Sequence, residues 1–423
     1  MMKFPLKRTL LQILSIYRTD MSQDSKNEKQ KVLLALSGGV DSVASAILLK
    51  RVYEVETVTF LMTGNIAQQE EQTAKASEVA QMLGISHHVL DLTQLFHEQV
   101  LQPFLDAWRS GKTPNPCVVC NPHVKFKALM TLAFKLDCDF IATGHYARVG
   151  KGNNFSGIEM NYSPPRRDVN EYAVNVPAGA HSTSEYSDAV DLVKVNKMQR
   201  SESPVFLYRA ADPRRDQSYF MYRLPPEVLR RVIFPLGGLS KDEARAIVAE
   251  EGLSAATEAD SQDLCFLGGK PLRDYLRDHV ALNEPGPFLD LQGRAIGEHR
   301  GIWQFTIGQR RRLGETFGRR MTVVALDPER RAVTLGDESD AVMDAVILED
   351  CYFPYDMPQK FDATVKLRSQ GIPLHVHVEK VSNKEIMARF DGPVRLSSPG
   401  QSAVFYEDDR LLGGGIVTRL LRL

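Results

Sequence analysis

The chain has 423 residues, 43% of them hydrophobic and 25% charged, with a formal net charge of −1. That length supports two or three domains with a sizeable core, and the near-zero charge excludes a globally polycationic nucleic-acid binder. Five cysteines (Cys117, Cys120, Cys138, Cys265 and Cys351) are too sparse and odd in number for a disulfide scaffold, and no apolar run reaches the roughly 18 residues of a membrane span, so a cytoplasmic protein without a membrane partner is expected.

The start, "MMKFPLKRTLLQILSIYRTD", is basic and leucine-rich but lacks the small-residue cleavage site of a signal peptide. It is compatible with a mitochondrial presequence. The reading adopted is that Met21 is the true start and residues 1–30 are a disordered extension. From Lys31 the pattern alternates strand and helix. "KVLLAL" is a buried strand, "VASAILLKRV" a helix, "EVETVTFLM" a strand, "QTAKASEVAQMLG" a helix stopped by Gly84, and "SHHVLDL" a third strand. A helix near Lys125–Leu136 precedes "CDFIATGH", a fourth strand. The alternation predicts an α/β fold with a doubly wound parallel sheet over 31–224, interrupted by a polar, aperiodic insertion at about 151–204.

"SKDEARAIVAEEGL" reads as a helix with Ser240 as N-cap, Glu243 at the capping-box position and Gly252 near its end. It falls in a small central domain expected at 225–340. The remainder, 341–423, is short strands punctuated by turns, as in a β-barrel-like C-terminal domain. No internal repeat is evident.

The stretch "LLALSGGVDSVASAILLK" puts Ser-Gly-Gly-Val-Asp-Ser between a strand and a helix. Such a turn offers backbone N–H groups to a phosphate; Gly38 and Gly39 allow close approach, and Ser37 and Ser42 add hydroxyls. Asp41 would repel a polyphosphate unless Mg²⁺ bridges the two. The Gly-Lys-Ser/Thr ending of a Walker A loop is missing.

The loop resembles that of the ATP pyrophosphatase (PP-loop) superfamily, whose members adenylate a substrate and release pyrophosphate. Further motifs narrow the likeness: "GKTPNPCVVCNPHVKF", "ATGHYARV", "RRDQSYFMYRL", "FPLGGLSKDEAR", "DSQDLCFLGG", "GEHRGIWQFTIGQRRRLG" and "SPGQSAVFYEDDRLLGGGIV". In this order they resemble the tRNA-specific 2-thiouridylase family from about Lys31 to the end, apart from 151–204. The resemblance implies ATP-dependent adenylation of C2 of the wobble uridine in the anticodon stem-loop of tRNA, then sulfur transfer from a cysteine persulfide. It implies Cys265 as persulfide carrier and Cys120 as second catalytic cysteine, joined afterwards in a transient disulfide. Its ATP site matches Ala35, Leu36, Ser37, Gly38, Gly39, Val40, Asp41, Ser42, Met62 and Gly144, with Mg²⁺. Its tRNA contacts match Asn115, Pro116, Cys117, Arg215, Asp216, Gln217, Arg368 and Ser369. A persulfide donor protein or cysteine desulfurase is implied as partner.

Other readings stay open. Three cysteines could hold an iron–sulfur cluster with an open iron, and the phosphate loop alone fits a small-molecule ligase such as an argininosuccinate synthase-like enzyme. A non-catalytic RNA-binding protein is disfavoured by the intact loop and both cysteines. His145 is read as a phosphate contact or a structural histidine. Residues 298–331 carry eight arginines with Trp303 and Phe305 interleaved, which reads as an RNA-contacting surface with stacking rings. Departures from the family pattern are "TGNIAQQ" after Met62, Arg215 in place of the usual Lys, and the length of the insertion.

Overall fold

A computed structural model of the protein describes residues 29–151, 204–257, 264–280, 284–314 and 317–422. The extension before residue 29, most of the expected insertion (152–203) and part of "DSQDLCFLGG" lie outside the described residues.

The first layer is built on β1 (Lys31–Ala35), β2 (Glu54–Leu61), β3 (Ser86–Asp91) and β4 (Phe140–Thr143). After a hairpin of β5 (Arg148–Lys151) and β6 (Val205–Tyr208), β7 (Val232–Ile233) completes it. All pairings are parallel, in the order β3-β2-β1-β4-β7. The unbroken apolar run of β1 follows from burial on both sides. Leu33 faces one core, while Val32 and Leu34 face the other. Helices α1 (Val40–Lys50) and α2 (Ile66–Leu83) follow β1 and β2, and Gly84 ends α2 in the left-handed conformation at φ 62°.

Next come α3 (Gln102–Arg109), α4 (Pro116–Cys120) and α5 (Phe126–Lys135), the last two joined by a π-helical turn at Asn121–Lys125. The helix expected from Ser240 is α6 (Lys241–Glu250), closed by the full Ser240–Glu243 capping box. The boundary expected at 224 falls inside this unit, because β7 extends the parallel sheet and α6 shares a core with α1. A two-residue strand carries no periodicity for a sequence reading to find.

After α7 (Leu272–Val280), a small sheet of β8 (Gly286–Leu289), β9 (Ala295–His299), β10 (Thr322–Asp327) and β11 (Ala332–Gly336) runs in the order β10-β11-β8-β9 around Phe288, Phe305 and Val323. Six antiparallel strands then close into a barrel. They are β12 (Val342–Tyr352), β13 (Lys360–Lys366), β14 (Leu374–Lys380), β15 (Ile386–Arg395), β16 (Ser402–Glu407) and β17 (Arg410–Leu421). The order is β12-β15-β14-β13-β16-β17, with β17 returning to β12. The barrel is docked on the first layer: Val404, Tyr406 and Leu411 share a core with Leu207 and Tyr219, and β6 pairs with β17. The expected fold class therefore holds. Among the described residues, no helix is long and apolar enough to cross a membrane.

Candidate active site

The topological switch lies at β1, flanked by β2 on one side and β4 on the other. A crevice at the carboxyl ends of β1 and β4 is where such sheets bind ligands, and the Ser-Gly-Gly-Val-Asp-Ser loop sits there. Leu36 and Val40 are buried, and the Leu36 backbone is held by Val58 and Thr59 of β2. Gly38 has φ +82°, and a Cβ on it would come within 3.0 Å of Lys75 Cβ on α2. Ser42, also buried, knits the loop: Ser37 N donates to its Oγ at 3.1 Å, and that hydroxyl donates to Gly39 O at 2.9 Å. Gly144, just after β4, supports the first turn of α1. A Cβ there would lie 2.9 Å from the carbonyl carbon of Asp41. Met62 follows β2 and is partly buried.

Asp41 is gripped by residues that the sequence reading did not assign to the site. Lys241 Nζ, on a side chain only 8% exposed, donates to both carboxylate oxygens at 2.8 Å, and the buried Tyr146 hydroxyl donates to Oδ1 at 2.7 Å. Lys241 is the first residue of α6, so the Ser240 cap fixes where this ammonium enters the crevice. The sequence signal is "FPLGGLSKDEAR", where helix capping alone accounts for Ser240 and Glu243 and nothing in the local pattern distinguishes Lys241 from a solvent-facing lysine. The single carboxylate at the loop suits Mg²⁺ held jointly with phosphate oxygens, the usual mode for that ion.

Asn115 and Pro116 open α4: Asn115 Oδ1 accepts from Cys117 N at 3.2 Å, and Pro116 occupies the first turn, where its missing N–H costs nothing. Cys120 is buried at the end of α4, Cys117 is half-buried, and Cys265 is exposed at the start of a 3₁₀ turn. Phe266 anchors that turn, with ring centroids 5.2 Å from Phe104 and 5.3 Å from Tyr275. All five cysteines are free thiols.

Burial pushes the Cys117 thiol up and that of Cys120 up to about 12; the Lys125 ammonium opposes both shifts, and Cys265 adds to them. Burial likewise disfavours the Lys125 ammonium, but Cys120, Cys265 and Cys117 outweigh it and its pKa is raised. The three thiols and Lys125 thus share one electrostatic neighbourhood. Lys125 also reaches His145, which burial first and Lys125 second push down to about 3. That imidazole is hydrogen-bonded to Thr143 Oγ1 at 2.8 Å and stacked on Phe126.

The other expected contacts fall into two groups. Asp216 is 3% exposed and works inward, accepting from Ala210 N and Ser218 N and pairing with Lys366 Nζ at 3.5 Å. That pair draws the segment of Arg215 and Gln217 toward the turn carrying Arg368 and Ser369, where Arg368 is exposed. Gln217 Oε1 accepts from Tyr146 N at 2.8 Å and so connects this segment to the support of Asp41.

The arginine-rich region is exposed, but its aromatic residues differ from expectation. Trp303 and Phe305 are 6% and 3% exposed: Phe305 fills the small barrel beside Phe288, while Trp303 packs into the core of the first domain, and neither offers a stacking face. Several of its arginines are paired with acids outside the window or at its edges: Arg310 with Glu338, Arg319 with Asp337 and Arg331 with Glu284.

The sequence matches a family described as tRNA methyl transferase HUP domain over residues 30–176 and 180–269. It matches the PRC-barrel domain of the same group over 273–337 and an aminomethyltransferase beta-barrel domain over 343–417. Among similar proteins, the tRNA-specific 2-thiouridylase MnmA of Sorangium cellulosum is 36% identical over 411 residues, covering 93% of each chain. Those of Carboxydothermus hydrogenoformans (32% over 407 residues, 93% of this chain and 99% of that one) and Roseiflexus castenholzii (36% over 402 residues, 92% and 99%) are alike along their whole length.

Proposed function

The chain belongs to the tRNA-specific 2-thiouridylase family and is a tRNA-uridine 2-sulfurtransferase, and from that premise we propose how its own residues divide the work. The phosphate loop and first turn of α1 bind ATP, with Ala35 to Ser42 and Gly144 shaping the cradle and Met62 at the adenine. Asp41 is the residue that would hold Mg²⁺, which would neutralise phosphate charge. Lys241 and Tyr146 hold that carboxylate in place. The substrate is the wobble uridine of a tRNA anticodon stem-loop, presented at Asn115–Cys117 with Arg215–Gln217 and Arg368–Ser369 alongside. Its C2 oxygen attacks the α-phosphorus of ATP, pyrophosphate leaves, and C2 carries an adenylate.

Sulfur arrives as a persulfide on Cys265, supplied by a donor protein or a cysteine desulfurase. The terminal sulfur attacks C2 and AMP departs with the former C2 oxygen. Cys120 then attacks Sγ of Cys265, the sulfur–sulfur bond breaks, and 2-thiouridine is released. A Cys120–Cys265 disulfide remains, and an external dithiol supplies two electrons to reopen it. Exposure of Cys265 suits reception of sulfur from another protein, and burial of Cys120 suits a thiol used once the site is closed. A cytoplasmic location fits this substrate.

The single observation that carries the proposal is the place of Lys125. Its charge bears on all three thiols and on His145, the neighbour of the Gly144 that packs on Asp41, which supports one site for sulfur chemistry and ATP chemistry. The test is purified protein with tRNA, ATP and a persulfide donor, followed by nucleoside mass spectrometry. Asp41→Ala is expected to abolish AMP formation and keep tRNA binding. Cys265→Ser is expected to keep AMP formation and lose 2-thiouridine; loss of tRNA binding in Asp41→Ala, or loss of AMP formation in Cys265→Ser, would overturn the division of labour. The electrostatic coupling of the three thiols through Lys125 also supports a second reading, an iron–sulfur cluster on Cys117, Cys120 and Cys265. Anaerobic protein whose thiolation tracks bound iron would establish it, and iron-free protein that thiolates tRNA would eliminate it.

A further inference from the structure

The outer face of the C-terminal barrel carries a cluster that thiolation does not use. On β14, His375 and His377 alternate with the buried Val376 and Val378, so both imidazoles stand on the solvent side. Asp362 of β13 is directly opposite His377 in the ladder. Phe390 of β15 is opposite Val376, which puts its neighbour Asp391 beside His375. Asp391 is the hub. One of its oxygens lies 3.1 Å from His377 Nε2 and the other 3.1 Å from His375 Nδ1. An oxygen of Asp362 lies 2.7 Å from the remaining ring nitrogen of His377, Nδ1.

We propose that His375, His377 and Asp391 form a surface site for a borderline divalent transition metal of the Zn²⁺ class, with Asp362 as the group that orients His377. Two imidazoles and one carboxylate suit Zn²⁺, Co²⁺ or Ni²⁺ better than the hard ions Mg²⁺ and Ca²⁺. One ligand atom from each of the three residues lies within 4.8 Å of the others. Each 3.1 Å nitrogen–oxygen separation, though made to a different oxygen of Asp391, is close to the ligand–ligand edge of a tetrahedral site, about 3.3 Å for bonds of about 2.0–2.1 Å, so a metal would need only to draw both imidazoles onto one of those oxygens. Asp362 supplies the second, independent feature. A carboxylate on the far nitrogen of a ligating histidine fixes its tautomer and raises its basicity, an arrangement typical of metal-bound histidine. Arg389, opposite His377 in the ladder, opposes a cation, but Asp362 and Asp391 outnumber it. Three protein ligands leave one position for water or a further ligand.

The competing arrangement is an ion-pair ladder in which protons stand where the metal would. Full-length protein is titrated with ZnCl₂ by calorimetry and with Co²⁺ by absorption, in parallel with H375Q/H377Q and D362N. The three ligand side chains are 49%, 56% and 60% exposed, so the double variant should fold; an unchanged melting temperature without metal checks this. One equivalent more Zn²⁺ is expected in the parent than in H375Q/H377Q. The Co²⁺ difference spectrum should show d–d bands without a thiolate charge-transfer band, which separates this site from the cysteines. D362N should bind at the same stoichiometry with about 10- to 100-fold weaker affinity. Equal stoichiometry and affinity in parent and double variant, or a difference spectrum carrying the thiolate band, would overturn the proposal.

Discussion

Cys120 is asked to act as a nucleophile from a place where burial pushes its thiol up to about 12. At pH 7.5 that leaves a thiolate fraction below about one in 10⁴, so the step that forms the disulfide is governed by whatever stabilises the thiolate. Lys125 is the cation that opposes the shift. Lys125→Met is expected to slow single-turnover thiolation about 10- to 100-fold, the effect of losing one nearby opposite charge, while AMP formation stays near normal. Lys125→Arg should restore part of the rate. The sign follows from the thiol being neutral when protonated: the rate of this step rises with pH across the neutral and alkaline range, and the Met variant shifts the curve further up. His145, held neutral down to about 3, contributes no inflection near pH 6.5. Equal slowing of adenylation and sulfur transfer would remove Lys125 from this role. Lys241 belongs to the other half. Lys241→Met leaves the Asp41 carboxylate without its bidentate partner. AMP formation is expected to fall about 10-fold or more, the scale of a charge-assisted contact, with transfer of radiolabelled sulfur to Cys265 unchanged. Unchanged AMP formation would make this lysine a packing feature.

At the scale of elements, two glycines at the phosphate loop carry opposite predictions. A Cβ on Gly144 would press within 2.9 Å of the Asp41 backbone, so Gly144→Ala must push the first turn of α1 away from β4. A cost of about 1–3 kcal/mol is expected from overpacking, with a raised KM for ATP. Gly39 has an ordinary φ of −73°, and a Cβ there meets nothing nearer than Ser37 Oγ at 3.8 Å. Gly39→Ala should therefore melt within about 0.5 kcal/mol of the parent and lose only phosphate affinity. Thermal denaturation beside ATP titration separates the two cases, and equal destabilisation would remove the contrast. These elements also mark what the sequence made legible. The strands and helices of the first sheet announce themselves through period and caps: the Leu33/Leu34 run, Gly84, and the Ser240–Glu243 box. Asp41 and the cysteines stood in readable motifs. Lys241 and Tyr146 also stand in motifs, but their part at Asp41 could not be read there, since it depends on contacts spanning 200 and 105 residues of sequence. The inward turn of Trp303 was equally hidden, because an aromatic among arginines looks the same from the chain whether it stacks on a base or packs into the core of a neighbouring domain.

At the scale of the whole molecule, the first domain and the barrel are tied through the β5–β6 hairpin, and this decides how the chain tolerates the loss of residues 152–203. The two ends of that segment are fixed partners: Lys151 is paired with Val205 in an antiparallel ladder. Directly opposed antiparallel residues have Cα atoms about 4.5–5.5 Å apart, a gap that a two- to four-residue turn closes. Beyond Val205 the chain is committed. Tyr355 hydroxyl accepts from Val205 N at 2.9 Å and donates to Val205 O at 2.8 Å, Tyr208 pairs with Arg410, and Arg209 N donates to Asp409 O at 2.9 Å. Replacing 152–203 by Asn-Gly is therefore expected to give a folded enzyme with the parent melting temperature and thiolation rate. Extending the deletion through Tyr208 removes the edge on which the barrel docks, together with the buried Leu207 and Tyr208. Loss of two such side chains costs several kcal/mol, so the longer deletion should be insoluble or melt far earlier. The pair is read by expression, thermal melting and tRNA nucleoside analysis. If the short deletion folds but thiolation driven by a donor protein fails while thiolation with a small-molecule persulfide survives, then 152–203 serves the donor rather than the fold. If the short deletion does not fold, the hairpin is not the self-sufficient closure that its pairing implies.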